Sequence, residues 1–138
     1  MTNVRILTDM KNKSSTILVV EDESNLNEAY QVILANSGFD ILTAFDGQEA
    51  LDILEDNLVD LILLDLRMPV MDGIEFLKEY NPEKSKRAKI IVFSNYDMQK
   101  EIEQAYSLGA DKYILKSWAS PKELIKVVGD VLELNTDK

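Results

Sequence analysis

The chain has 138 residues, of which 46% are hydrophobic and 29% charged, enough for one globular domain that buries roughly two-thirds of its unfolded surface. Lys and Arg total 15 against 25 Asp and Glu, a formal charge of -10, so no net positive field draws phosphate backbones or anionic lipid, and neither nucleic acid nor membrane is an expected partner. There is no Cys and no His, which removes disulfides, thiolate and imidazole chemistry and the usual zinc ligands, and leaves carboxylate, hydroxyl, ammonium and phenol as the reactive groups.

Residues 1–15 carry one apolar patch, from Val4 to Leu7, and read as a flexible leader, an extra edge strand or an expression remnant. No stretch reaches the length of a signal peptide core or a membrane span, so a cytoplasmic location is expected. From Thr16 onward, short apolar runs alternate with helical spacing. Thr16–Val20 reads as a strand, and Leu26, Tyr30, Ile33 and Leu34 mark a helix with Ser24 as its cap and Gly38 past its end. Asp40–Ala44 is the second strand, followed by a helix through Ala50, Leu51 and Leu54 that Asp46 caps. Leu61–Leu64 is the third, and Asp72 and Gly73 turn into a short helix near residues 74–80. Residues 90–93 form the fourth strand, then Ile102, Ala105 and Leu108 a helix that Gly109 ends. Lys112–Leu115 is the fifth strand, and Leu124, Val128, Val131 and Leu132 lie on a last helix opened by Ser120 and Pro121.

Continuous apolar runs with little alternation suit strands buried on both faces of a parallel sheet. Right-handed crossovers then cover both faces, giving a doubly wound α/β fold of five parallel strands and five helices, a flavodoxin-like three-layer sandwich for which 2-1-3-4-5 is one established strand order and the one expected here. Residues 16–134 form this domain, and residues 135–138 are a tail.

In such a fold the ligand site lies at the carboxyl ends of the strands. The residues just past those ends are Glu21 and Asp22, Asp65, Ser94, and Lys116. Taken singly, each type is also what turns and helix caps use. Together, three carboxylates repel unless a cation neutralises them, and an all-oxygen donor set suits Mg2+. An ammonium and a hydroxyl beside the cation would share the oxygens of a phosphoryl group, and Asp65, directly behind four apolar residues, is a plausible nucleophile for it.

The segments "ILVVEDE", "LILLDLRMPVMDG", "IIVFSNY" and "LGADKYILKS" together resemble the receiver domains of bacterial two-component response regulators, as do the spacings of 43 residues from Asp22 to Asp65, 29 from Asp65 to Ser94 and 51 from Asp65 to Lys116. The resemblance implies a signalling switch of the stand-alone, chemotaxis-regulator type, with only slow self-phosphorylation and self-dephosphorylation of its own. A histidine kinase or phosphotransfer protein would phosphorylate Asp65. Glu21, Asp22, Asp65 and the backbone carbonyl of Arg67 would hold Mg2+, Lys116 would bind a phosphoryl oxygen, and Ser94 and Tyr113 would act as the switch pair. Output would pass to a protein partner, or to a second copy through the face made by the fourth helix, fifth strand and fifth helix.

Two positions depart from the family pattern. Lys116 is followed by Ser117 rather than by a proline with a cis bond, and Trp118 is expected to pack against the base of the last helix. Asn95 stands where a small residue is usual, and Arg67 and Tyr96 flank the expected pocket. These departures keep open a phosphorylation-independent adaptor on the same fold. A metal-dependent aspartyl phosphohydrolase and a flavin carrier share the architecture, but the first would place two Asp on the first strand and the second a Ser, Thr and Gly phosphate loop there.

Overall fold

The computed structural model describes residues 14–80, 88–95 and 98–134; the leader reading of residues 1–13, the tail 135–138 and Tyr96 lie outside the described residues. Strands β1 (Thr16–Val20), β2 (Asp40–Ala44), β3 (Leu61–Leu64), β4 (Lys89–Ser94) and β5 (Lys112–Leu115) alternate with helices α1 (Ser24–Asn36), α2 (Gly47–Asp56), α3 (Gly73–Glu79), α4 (Gln99–Ser107) and α5 (Pro121–Val131). The strands are parallel in the expected order β2-β1-β3-β4-β5.

Period-two alternation divides the buried strand residues between two cores. Leu18, Val20, Ile62, Leu64, Ile90 and Val92 face Ala50 of α2, Phe76 and Leu77 of α3 and Ala105 of α4. On the other side Ile17, Val19, Leu61, Leu63, Ile91, Phe93 and Ile114 face Leu34 of α1 and Leu124 and Val128 of α5. Both faces of β1, β3 and β4 are therefore dry, which explains why those runs show no polar alternation.

The helix starts follow local chemistry. Asp46 accepts from the Glu49 N–H, and Asp72 with Glu75 and Ser120 with Glu123 form capping boxes, with Pro121 in the first turn of α5. Gly38 and Gly109 take φ of 97° and 111° past the ends of α1 and α4. Three expectations change. Ser24 is the first helical residue of α1, and Glu23 is the N-cap without a side-chain bond. Helix α3 begins at Gly73 and ends at Glu79. Strand β4 extends one residue beyond 90–93 at each end, because Lys89 pairs with Leu61 and Ser94 with Leu115, so backbone pairing continues where hydropathy stops.

Candidate functional site

Sheet order reverses direction at β1 and β3, and the crevice at such a switch point opens beyond the strand carboxyl ends. Val20 pairs with Leu64, so the residues that follow them, Glu21 and Asp65, stand side by side across the reversal. The Asp65 N–H donates to the Val20 carbonyl at 3.0 Å and the Glu21 N–H to the Ala44 carbonyl at 3.1 Å, which prolongs the ladder into the loops. On the far side the Lys116 N–H donates to the Ser94 carbonyl at 2.8 Å, tying the end of β5 to that of β4.

These anchors bring the predicted acids and the lysine together. Glu21 and Asp65 are 3% and 7% exposed, whereas Asp22 is open to solvent. The Lys116 ammonium donates to Glu21 Oε1 at 2.5 Å and to Asp65 Oδ2 at 3.3 Å. Glu21, Asp22 and Asp65 each offer one carboxylate oxygen, and the three oxygens lie within 4.8 Å of one another. One ammonium against three acids leaves local negative charge, and hard oxygen donors at this spacing fit a small divalent cation such as Mg2+.

The electrostatics follow from that burial. Asp65 is raised from its ordinary 3.8 to about 6, first by desolvation and then by the Glu21 charge, with Lys116 and the Arg67 N–H opposing. Burial alone would lower the Lys116 ammonium, but its hydrogen bond to Glu21 and the Asp65 and Glu21 charges outweigh it and hold Lys116 above its ordinary value. Lys116 thus stays charged.

The remaining predicted residues lie around this centre. Ser94 is fully buried at the end of β4 and Asn95 beside it is exposed. Tyr113 is half-buried on β5 and packs against the core under α2, α3 and α4. The Arg67 N–H donates to Asp65 Oδ1 at 3.3 Å, while its guanidinium reaches away to Glu101 on α4. Lys116 to Ser117 is not a cis bond, so the lysine reaches the acids without one. Trp118 contradicts its expected packing: a turn in which its N–H donates to the Leu115 carbonyl leaves the indole 58% exposed, and Ala119 covers the α5 core instead.

Asn27, Tyr30 and Gly73 also shape the site, a role the sequence pattern does not show. Asn27 of α1 is fully buried; its amide donates to the carbonyls of Glu21 and Ala44 at 2.8 and 3.2 Å and its oxygen accepts from Thr43 and Gln31, which fixes the loop carrying both acids. Tyr30 lines the crevice with Glu21 and Asp65 and sets its ring edge-on to Phe93 at 5.2 Å. Burial raises its phenol, with the Lys116 charge opposing. Gly73 lets α3 approach the site, since a Cβ there would lie 2.7 Å from the Asp65 carbonyl oxygen.

The model of the response regulator receiver domain matches residues 17–129. The chain belongs to this family. As a receiver domain it is 39% identical over 108 residues to the alkaline phosphatase synthesis transcriptional regulatory protein PhoP of Bacillus subtilis, covering 78% of this chain and 44% of that protein. It is 34% identical over 111 residues to the transcriptional regulatory protein DltR of Streptococcus agalactiae, covering 80% and 49%. The receiver chain thus spans about half the length of these curated relatives. Among solved structures, the CheY-like receiver domain protein of Methanospirillum hungatei superposes with a TM-score of 0.82 at 25% identity, covering 88% of this chain and 96% of that one. The Thermotoga maritima response regulator TrrA, solved with Mg2+ and BeF, gives 0.74 at 35% identity, covering 85% and 98%. Receiver domains act as signalling switches and bind Mg2+ at acidic residues. Among the described residues no helix is long and apolar enough to cross a membrane.

Proposed function

We propose that Asp65 is the phosphoacceptor of this receiver, that Glu21, Asp22, Asp65 and the Arg67 backbone carbonyl hold Mg2+, and that Lys116 binds a phosphoryl oxygen. The observation that carries the reading is the position of Asp65: a nearly buried carboxylate at the switch point, beside an acid pair and within 3.3 Å of an ammonium. In transfer from a phosphohistidine of a kinase or phosphotransfer protein, an Asp65 oxygen attacks phosphorus and forms the O–P bond. The P–N bond breaks, and the imidazole nitrogen leaves with its electron pair. Bound Mg2+ supplies charge neutralisation for the incoming phosphoryl oxygens. Lys116 directs one of those oxygens and offsets the repulsion between carboxylate and donor.

Ser94 and Tyr113 carry the change outward. The phosphoryl group brings more charge and more acceptors than the carboxylate it replaces, Ser94 turns to donate to it, and Tyr113 follows into the space toward α4. The α4, β5 and α5 face then meets a protein partner or a second copy of the domain. Phe45, Val70, Met98 and Trp118 are exposed apolar residues in the loops after β2, β3, β4 and β5, on the rim that surrounds Asp65. This rim suits contact with the phosphodonor protein, in the cytoplasm, where such donors present their histidine. Intact mass after incubation with acetyl phosphate tests the chemistry: one phosphoryl adduct that needs both Mg2+ and Asp65 is expected. No adduct, with no binding of a phosphoryl mimic, would leave the phosphorylation-independent adaptor.

A further inference from the structure

We propose that the Arg67 guanidinium is a second cationic ligand of the phosphoryl group on Asp65, held on Glu101 of α4 until phosphorylation, so that its transfer releases the start of α4. The inference rests on the phosphoacceptor reading of Asp65. Arg67 lies two residues past Asp65, and its N–H already donates to Asp65 Oδ1 at 3.3 Å. Its Nη2 donates to Glu101 Oε2 at 2.9 Å across 34 residues of sequence, and lies 3.9 Å from the sulfur of Met98. One residue thus connects the phosphorylation loop to the first turn of α4.

The grip matters because α4 is lightly held at that end. Met98 at its N-cap offers no side-chain bond, and Ala105 is its buried residue. Glu101 is also incompletely compensated: Oε1 is shut from solvent and accepts no hydrogen bond among the described residues. A carboxylate left without its cation is destabilised where it sits, so loss of Arg67 loosens the first turn of α4. Phosphorylation puts a group with more negative charge and three acceptor oxygens two residues from Arg67. Lys116 is already shared by Glu21 and Asp65, whereas a guanidinium fork matches phosphoryl oxygens in pairs. The competition therefore favours the phosphoryl group. Transfer leaves Glu101 without its cation and removes the tie on α4, a route to that helix separate from Ser94 on β4 and Tyr113 on β5.

The test is a double-mutant cycle on the full chain, reading affinity for beryllofluoride with Mg2+ by titration calorimetry. Glu101→Gln removes the competitor and is expected to tighten binding roughly two- to fivefold, the range of a partly exposed ion pair. Arg67→Ala is expected to weaken it about tenfold, as loss of a charge-assisted hydrogen bond does. In the Arg67→Ala background, Glu101→Gln should have no effect. Amide exchange at the start of α4 should rise on mimic binding in the native chain and be raised beforehand in Glu101→Gln. An unchanged affinity in Glu101→Gln, or an equal gain in both backgrounds, overturns the transfer and shows at most a distant charge effect. Normal mimic binding without coupling removes the Arg67 role alone, whereas a native chain that takes up neither mimic nor phosphoryl group removes the Asp65 reading and this inference with it.

Discussion

Asp65→Asn is expected to stabilise the metal-free protein, and the size of the gain should depend on pH. The native carboxyl is raised from 3.8 to about 6, chiefly by desolvation and then by Glu21. At 1.36 kcal/mol per pH unit, keeping it ionised in the fold costs about 3 kcal/mol. Below 3.8 the group is protonated in both states and the cost vanishes. Between 3.8 and about 6 the unfolded chain ionises while the folded one resists, so stability falls as pH rises, and above about 6 the cost is complete. An amide of the same shape removes the charge but keeps some desolvation penalty, which brings the expected gain to about 2 kcal/mol at pH 7.5. Urea unfolding in the presence of a chelator, for both proteins at pH 7.5 and 4.0, measures it. A gain at pH 7.5 that nearly disappears at pH 4.0 supports the reasoning; an Asp65→Asn chain that is less stable at pH 7.5, or whose gain grows on acidification, refutes it.

Other expectations concern the loops around the site. Mg2+ should raise the unfolding midpoint of the native chain and have little effect on Asp22→Asn, as followed by thermal melts with and without the cation, because Asp22 supplies one of the three clustered oxygens. Asn27→Ala removes a buried residue that holds the Glu21 and Ala44 carbonyls and should cost about 2 to 4 kcal/mol in urea unfolding, while also weakening Mg2+ binding. Val70 holds a φ of 66° in a turn where the Met71 N–H donates to the Pro69 carbonyl, an unfavourable conformation for a β-branched residue; since its side chain is 81% exposed, Val70→Gly should raise stability by about 1 kcal/mol in the same assay. Trp118→Ala should slow phosphotransfer from a cognate phosphohistidine protein severalfold in stopped assays, yet leave the rate with acetyl phosphate unaltered, if the exposed indole contacts the donor protein.

The sequence shows those features whose cause is local. Strands buried on both faces appear as unbroken runs, and Asp46, Asp72 and Ser120 mark helix starts because a cap is formed within four residues. Four of the site residues are legible for the same reason: Glu21, Asp22, Asp65 and Lys116 each stand at the end of a readable strand. What escapes depends on distance in the fold. Asn27 occupies what looks like the polar side of an amphipathic helix, and only the placement of β2 beside it shows that it is buried. Tyr30 fits a core position by spacing, with nothing to indicate that it would line the crevice with Glu21 and Asp65. The Arg67 and Glu101 pair joins the loop after β3 to the first turn of α4, 34 residues away in sequence. Trp118 misleads in the opposite direction, since a large apolar residue beside an amphipathic helix suggests packing, whereas the turn after β5 sends it outward.

The most direct test of the central claim is to locate the phosphoryl group. The chain is incubated with acetyl phosphate and Mg2+, reduced with borohydride, which converts an aspartyl phosphate to homoserine, and mapped by peptide mass spectrometry. Homoserine at position 65, absent when Mg2+ is withheld, is the expected result. Modification at another carboxylate, or none at all under conditions where beryllofluoride also fails to bind, would contradict the assignment of Asp65 as the phosphoacceptor.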